Sequence, residues 1–244
     1  MDMTAPTYAI GDLHGQTAEF DRALSLIERD GGRDARIVFL GDYVDRGPDS
    51  KGVLDRLIAG RDAGRNWVTL LGNHDRMFAW FLQDEPRHDS HLLVGYHWLH
   101  ERLGGTETLR SYGVEFEDRT RLQDVHRAAL AAVPVAHKAF LRDLVRMHQT
   151  PELAFVHAGI RPGVPLGAQA EDDLVWIRQS FHACETPHPK LIVHGHTVVD
   201  RPTHYGNRIN LDSGAGYGRQ TGVAVFEGRD CWLLTEAGRV PLRP

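Results

Sequence analysis

Cysteine is scarce in this sequence. Cys184 and Cys231 are its two thiols and lack CxxC spacing, so neither a disulfide framework nor a cysteine-based zinc site is expected. Long apolar runs are missing as well. One of the longest, "HRAALAAVPVA", falls far short of the ~20 residues that cross a bilayer. Basic excess is also absent: the net charge is -5, with both signs interspersed, which leaves no stripe to hold nucleic acid. The opening "MDMTAPTYAIGDLHG" has neither a basic nor an apolar leader region. The expectation is a cytoplasmic protein with no membrane partner and no evident nucleic-acid partner; the oligomeric state is left open.

What is present is the composition of a globular protein, with 41% hydrophobic and 25% charged residues in 244. One domain over residues 1–244 is expected. Its first third alternates strand and helix. "TYAI", "RIVFL" and "NWVTLL" read as buried strands, and "QTAEFDRALSLIERD" puts Phe20, Leu24 and Ile27 on one helical face. A second helix starts near Ser50, a plausible N-cap, and a third within "DRMFAWFL". This βαβαβα order implies parallel pairing under covering helices. From about 84 to 148 the pattern turns helical, including "HLLVGYHWLHERL", and reads as an insertion or cap. Its histidines and Trp80, Phe81, Tyr96 and Trp98 read as packing rather than as a substrate platform. Strands then return in "LAFVHAG", "KLIVHGH", "RINLDSG", "GVAVFEG" and "DCWLLTE", the last two forming a hairpin through "EGRD".

Histidine is abundant, with 15 copies, and several stand where strands end. "YAI" runs into Asp12 and His14, "IVFL" into Asp42, Asp45 and Arg46, and "VTLL" into Asn73, His74 and Asp75. "AFV" runs into His157, "LIV" into His194 and His196, and "INL" into Asp212. Met singly, each has an ordinary reading as a turn or loop residue. Together they define one edge, because ligands of α/β sheets bind outside the carboxyl ends of the strands. Carboxylate, imidazole and carboxamide without thiolate suit manganese, iron or zinc. Asp12 and His14 are spaced to grip one ion; Asp42 is central enough to bridge two, and Asn73, His157 and His196 can complete the second. With two divalent ions, Asp12, Asp42, a hydroxide, Arg46 and Arg178, the last on a helix expected at "LVWIRQSF", the site would carry roughly +3, matched to a phosphate dianion.

"GDLHG", "GDYVDRG", "GNHD", "VHAG", "HGHT" and "LDSG", in this order, resemble the phosphoprotein phosphatase family of calcineurin-like metallophosphoesterases, most closely its compact bacterial and phage branch. The resemblance implies an α/β (α+β) fold, a sandwich of mixed sheets flanked by helices, around a dinuclear centre. It implies Asp12 and His14 as ligands of one ion, Asp42 as the bridge, and Asn73, His157 and His196 as ligands of the other. It further implies His74 as general acid oriented by Asp45, Arg46 and Arg178 as phosphate-binding groups, and Tyr217 beside the substrate. Position 198 is valine, so the second histidine of a GHxH pair is missing. His194 therefore stays open, as an additional ligand or, like Asp212, as an outer hydrogen-bond partner.

The expected chemistry is hydrolysis of a phosphomonoester by a hydroxide bridging two metal ions, attacking in line while His74 protonates the leaving group. Manganese is the expected pair in vitro, with iron or zinc compatible. A serine/threonine protein phosphatase acting on a phosphorylated protein or small phosphoester is the leading expectation. A hydrolase of diadenosine polyphosphates or other nucleotides is the alternative, and an inactive phosphate-binding scaffold the alternative of another class. Asp75 is expected to cap the helix beginning beside it.

Overall fold

"TYAI" and "LAFV" are buried at every residue, so both of their faces are covered and alternation decides what lies on each side. In the computed structural model, which describes residues 5–117 and 119–244, the strands stack as two sheets. The leader-free reading of the opening residues falls partly on Met1–Thr4, outside the described residues. Among the described residues no helix is long and apolar enough to cross a membrane.

The first sheet has the order β11-β10-β9-β1-β2-β3. Its centre is β1 (Thr7–Ile10), parallel to β2 (Arg36–Phe39), which is parallel to β3 (Trp67–Thr69). β9 (Val223–Glu227), β10 (Asp230–Thr235) and β11 (Gly238–Pro241) extend it by antiparallel pairing. The second sheet runs β4 (Met147–Gln149), β5 (Leu153–Val156), β6 (Leu191–His194), β8 (Arg208–Asn210) and β7 (Thr203–His204). Mixed pairing in both sheets agrees with the sandwich expected from the sequence. The edge strands β4, β7 and β11 are too short or too polar to have stood out in it.

Alternation sorts the core into layers. Ala9, Val38, Phe155, Leu191, Val193 and Ile209 fill the space between the sheets. Tyr8, Ile10, Ile37 and Phe39 point outward to helices α1 (Thr17–Gly31) and α2 (Ser50–Asp62). On the other sheet Val156 and Ile192 pack outward against Phe181 and Leu174, from α8 (Gln179–His182) and α7 (Glu171–Trp176).

Three local expectations are corrected. The cap of α2 is Asp49, whose side chain accepts from Gly52 N at 2.8 Å, whereas Ser50 Oγ accepts from Asp45 N at 3.0 Å. The run "HLLVGYHWLHERL" is a series of turns and not a helix. Asp89 Oδ1 accepts from His91 N at 3.0 Å, a local bond that competes with helical pairing, and Gly95 takes a left-handed φ of 86°. Between α3 (Asn73–Phe81) and β4 the helices are α4 (Gly105–Ser111), α5 (Leu122–Ala132) and α6 (Val135–Asp143). Lastly, Arg178 does not ride on a helix: it sits in the break between α7 and α8 at φ -135° and ψ -96°.

Candidate active site

The carboxyl ends of β1, β2, β3, β5, β6 and β8 gather Asp12, His14, Asp42, Asp45, Asn73, His74, His157, His196 and Asp212, all buried. Among the described residues, the non-glycine positions with positive φ are His14, Asp42, Asp45, Arg46 and His196, every one at this edge. Backbone held in this sparsely populated region concentrates where side chains must be aimed at a common point.

Asp42 occupies that point. Its Oδ2 lies 3.6 Å from His14 Nε2 and its Oδ1 3.4 Å from His157 Nε2. Two trios of possible metal donors share it, His14–Asp42–His74 and Asp42–His157–His196. Asn73 Oδ1 joins the second at 3.0 Å from His157 Nε2 and 2.8 Å from His196 Nδ1. Asp12 belongs to neither trio; its carboxylate accepts from His196 N at 3.2 Å.

The tautomers reveal what this donor set suits. His157 Nδ1 donates to Leu40 O at 2.8 Å, and His14 Nδ1 to Val44 O at 2.8 Å. Burial lowers the His157 pKa to about 4 and drives His14 well below the usual imidazole range, so both rings are neutral. Each Nε2 then turns a lone pair toward an Asp42 oxygen with no proton between them, and that of His14 also faces Arg46 Nη1 at 2.6 Å. Acceptors converging in this way fit a divalent cation, and the carbonyl bonds at Nδ1 fix the rings for it. The carboxylates agree. Burial, then Asp212 and Asp42, holds Asp12 well above the usual carboxylate range, and burial pushes Asp42 up to about 7 against the pull of Arg46. Negative charge is unfavourable here without a counter-charge.

Close backbone approach is enforced by glycine. A Cβ on Gly195 would stand 2.0 Å from Asp12 Oδ1. Gly195→Ala is therefore expected to displace the Asp12 carboxylate and weaken manganese binding about 10–100-fold. Calorimetric titration of chelator-stripped protein measures this, and unchanged affinity would show Asp12 to be remote from the ion.

The first trio is joined to a further carboxylate through His74. His74 Nδ1 meets Asp45 Oδ2 at 2.6 Å. Burial pushes Asp45 well above the usual carboxylate range, opposed by hydrogen bonds from Thr108 and Trp98. Arg46 Nη1 and Nη2 reach His14 Nε2 at 2.6 Å and His74 Nε2 at 3.0 Å, and Arg178 Nε donates to His196 Nε2 at 3.0 Å. The Tyr217 ring, exposed at the mouth, lies 5.1 Å from the Arg46 guanidinium carbon.

Residues 5–200 match the sequence model of the calcineurin-like phosphoesterases. The chain belongs to the calcineurin-like phosphoesterase family. Members of this family use divalent metal ions, in keeping with the two donor trios. The chain is 34% identical over 158 residues to a symmetrical bis(5'-nucleosyl)-tetraphosphatase of Pseudomonas fluorescens, an alignment covering 64% of this chain and 44% of the relative. It thus spans less than half the length of that relative. A crystal structure provisionally assigned as a diadenosine tetraphosphatase superposes at a TM-score of 0.66 and 22% identity, covering 99% of this chain and 96% of the other. A serine/threonine phosphatase of Saccharomyces cerevisiae superposes at 0.53 and 16% identity, covering 98% and 77%. Both superpositions describe the fold that this chain shares.

His194 is brought to a different place from His196. Leu191 and Val193 face the other sheet, so His194 falls in phase with Ile192 on the outer face. There its ring lies 5.1 Å from Phe181 and its Nε2 accepts from Arg208 Nη1 at 3.2 Å. Neither trio includes it, and position 196 is the only member of the HxH pair aimed at Asn73. Asp212 stays near, raising the pKa of Asp12, and its Oδ1 accepts from Gly214 N at 3.0 Å. Asp75 does more than cap α3: beyond Gly72 N at 3.0 Å, it accepts from Asp42 N at 2.8 Å and Tyr43 N at 2.9 Å.

The sequence reading missed the contacts that residues 84–148 make with the site. Trp98 Nε1 donates to Asp45 Oδ2 at 2.9 Å and Thr108 Oγ1 to Asp45 Oδ1 at 2.7 Å. Trp176 sets its ring 5.6 Å from that of His196 and donates to Asp89 Oδ2 at 3.0 Å. These contacts join residues far apart in the chain, and only the phosphoesterase fold makes them visible.

Proposed function

We propose that this chain is a metal-dependent hydrolase of dinucleoside polyphosphates, cleaving the phosphoanhydride chain between two nucleosides. The observation that carries phosphoryl chemistry is the pair of donor trios sharing Asp42, with Arg46 and Arg178 beside them. The nucleotide substrate is favoured over the phosphoprotein expected from the motifs by the 34% identity to a tetraphosphatase. A phosphoserine or phosphothreonine substrate is the second reading, supported by the order of the motifs.

In this proposal Asp12 and His14 would hold one ion, Asn73, His157 and His196 the other, and Asp42 both; when bound, the ions would supply Lewis-acid polarisation of the phosphoryl group and acidify water. Arg46 and Arg178 grip non-bridging oxygens, each with a fork that fits two of them. His74 delivers its proton to the departing oxygen while Asp45 holds the ring by Nδ1. Tyr217 flanks Arg46, where an aromatic face can lie against a base.

The proposal is tested by phosphate and nucleotide release from diadenosine tetraphosphate and from a phosphoserine/phosphothreonine peptide, side by side, with manganese-loaded protein. Dinucleotide turnover at least about 100-fold above the peptide in kcat/KM is expected. The reverse preference would make the chain a protein phosphatase, and inactivity on both would reduce it to a phosphate-binding scaffold.

A further inference from the structure

The insertion carries no recognisable motif, yet its residues close around the loop that follows β2. Asp45, fully buried, receives Trp98 Nε1–H on Oδ2 at 2.9 Å and Thr108 Oγ1–H on Oδ1 at 2.7 Å. Its own amide donates to Thr108 Oγ1 at 2.8 Å and to Ser50 Oγ at 3.0 Å. One residue further on, Arg46 N donates to Gly104 O at 3.3 Å, and a Cβ on Gly104 would stand 2.2 Å from that nitrogen. Trp98 is itself anchored, stacked on Phe78 with centroids 5.1 Å apart and set against Phe81 at 4.7 Å.

A carboxylate on a short side chain can rotate about its last torsion. Here one oxygen is fixed by Thr108 and the other by Trp98, which leaves a single direction for the bond from His74 Nδ1. We propose that Trp98 and Thr108 are positioning residues for phosphoryl transfer: the insertion locks the plane of Asp45 and, through it, aims the His74 imidazole at the leaving group. This rests on the reading of His74 as the leaving-group acid.

The experiment compares wild type with Trp98→Phe, Thr108→Val, Thr108→Ser and His74→Asn. Each manganese-loaded protein is assayed on aryl phosphates running from p-nitrophenyl phosphate, whose leaving group departs unaided, to phenyl phosphate, which needs a proton. Manganese content and thermal midpoint are measured alongside. Phenylalanine keeps the stacking on Phe78 and removes only the indole N–H; valine keeps the shape of threonine without its hydroxyl. The expected result is a kcat loss of about 10- to 100-fold on phenyl phosphate for Trp98→Phe and Thr108→Val, against less than about 3-fold on p-nitrophenyl phosphate. KM and manganese content should hold, and Thr108→Ser should restore the wild-type dependence on leaving group. If His74→Asn shows that dependence and the insertion variants do not, or if all substrates fall together with the thermal midpoint, the positioning role is overturned while the acid reading stands. If His74→Asn itself shows no such dependence, the acid reading fails and the positioning role fails with it.

Discussion

Asp42→Asn is expected to reduce hydrolysis of every phosphoester to near the uncatalysed rate. The carboxylate is the one donor common to both trios, 3.6 Å from His14 Nε2 and 3.4 Å from His157 Nε2, so a single substitution damages two coordination spheres. Loss of an outer partner of a ligand costs about 10–100-fold, and removal of a shared ligand should exceed that range. Asparagine keeps an oxygen able to accept from His74 N, as Asp42 Oδ1 does at 3.0 Å, so the loop need not rearrange. Binding supplies an independent reading. Manganese at about 100 times its dissociation constant stabilises a folded protein by ~2.7 kcal/mol, which raises the thermal midpoint of a chain this size by about 5–10 °C. Chelator-stripped wild type should show this rise and Asp42→Asn should not. An Asp42→Asn protein that still gains the full shift would remove Asp42 from the metal-binding set.

His74→Asn is expected to separate binding from chemistry. The residue sits in one trio by distance, yet its Nδ1 is committed to Asp45 at 2.6 Å and its Nε2 faces Arg46 Nη2 at 3.0 Å, on the side where a phosphoryl group would lie. A general acid contributes about 10²–10⁴-fold. The loss should be largest for a phosphoserine peptide, whose alkoxide leaves poorly, and smaller for diadenosine tetraphosphate, whose leaving group is itself a phosphate. Manganese content should match that of wild type. Loss of one ion equivalent in His74→Asn would reassign the ring as a ligand, and near-normal rates would end the acid role.

Much of the site was legible because chain direction and strand termination are local properties. Each of "GDLHG", "GDYVDRG" and "GNHD" follows an apolar run too short to be anything but a strand, and parallel order puts all such ends on one edge. His194 was ambiguous only while the phase of "LIVH" was not carried through: alternation from Leu191 puts Val193 inward and His194 outward. Trp98 and Thr108 were beyond reach. They lie 53 and 63 residues from Asp45, and no periodicity marks a donor whose acceptor is brought up by tertiary packing. Apolar content alone suggested a helix for "HLLVGYHWLHERL", where Asp89 and Gly95 impose turns. The substrate was underdetermined for a different reason: the motif residues are candidates for holding metal and phosphate, which nucleotide and phosphoprotein substrates would present alike.

The left-handed backbone at His14, Asp42, Asp45, Arg46 and His196 sets a limit on engineering this protein for heat resistance. A non-glycine residue in that conformation costs about 1–2 kcal/mol, least for aspartate, asparagine and histidine, whose side chains tolerate it, and more for arginine. Screens that reward only survival at high temperature would therefore accept glycine at these positions, at 46 before the others. On the proposed reading each such gain would erase a metal donor, the carboxylate partner of His74 or a phosphate grip. Stabilising changes are better sought in the β9–β11 edge and the surface of α1, where no residue is held in a conformation that only its chemistry justifies.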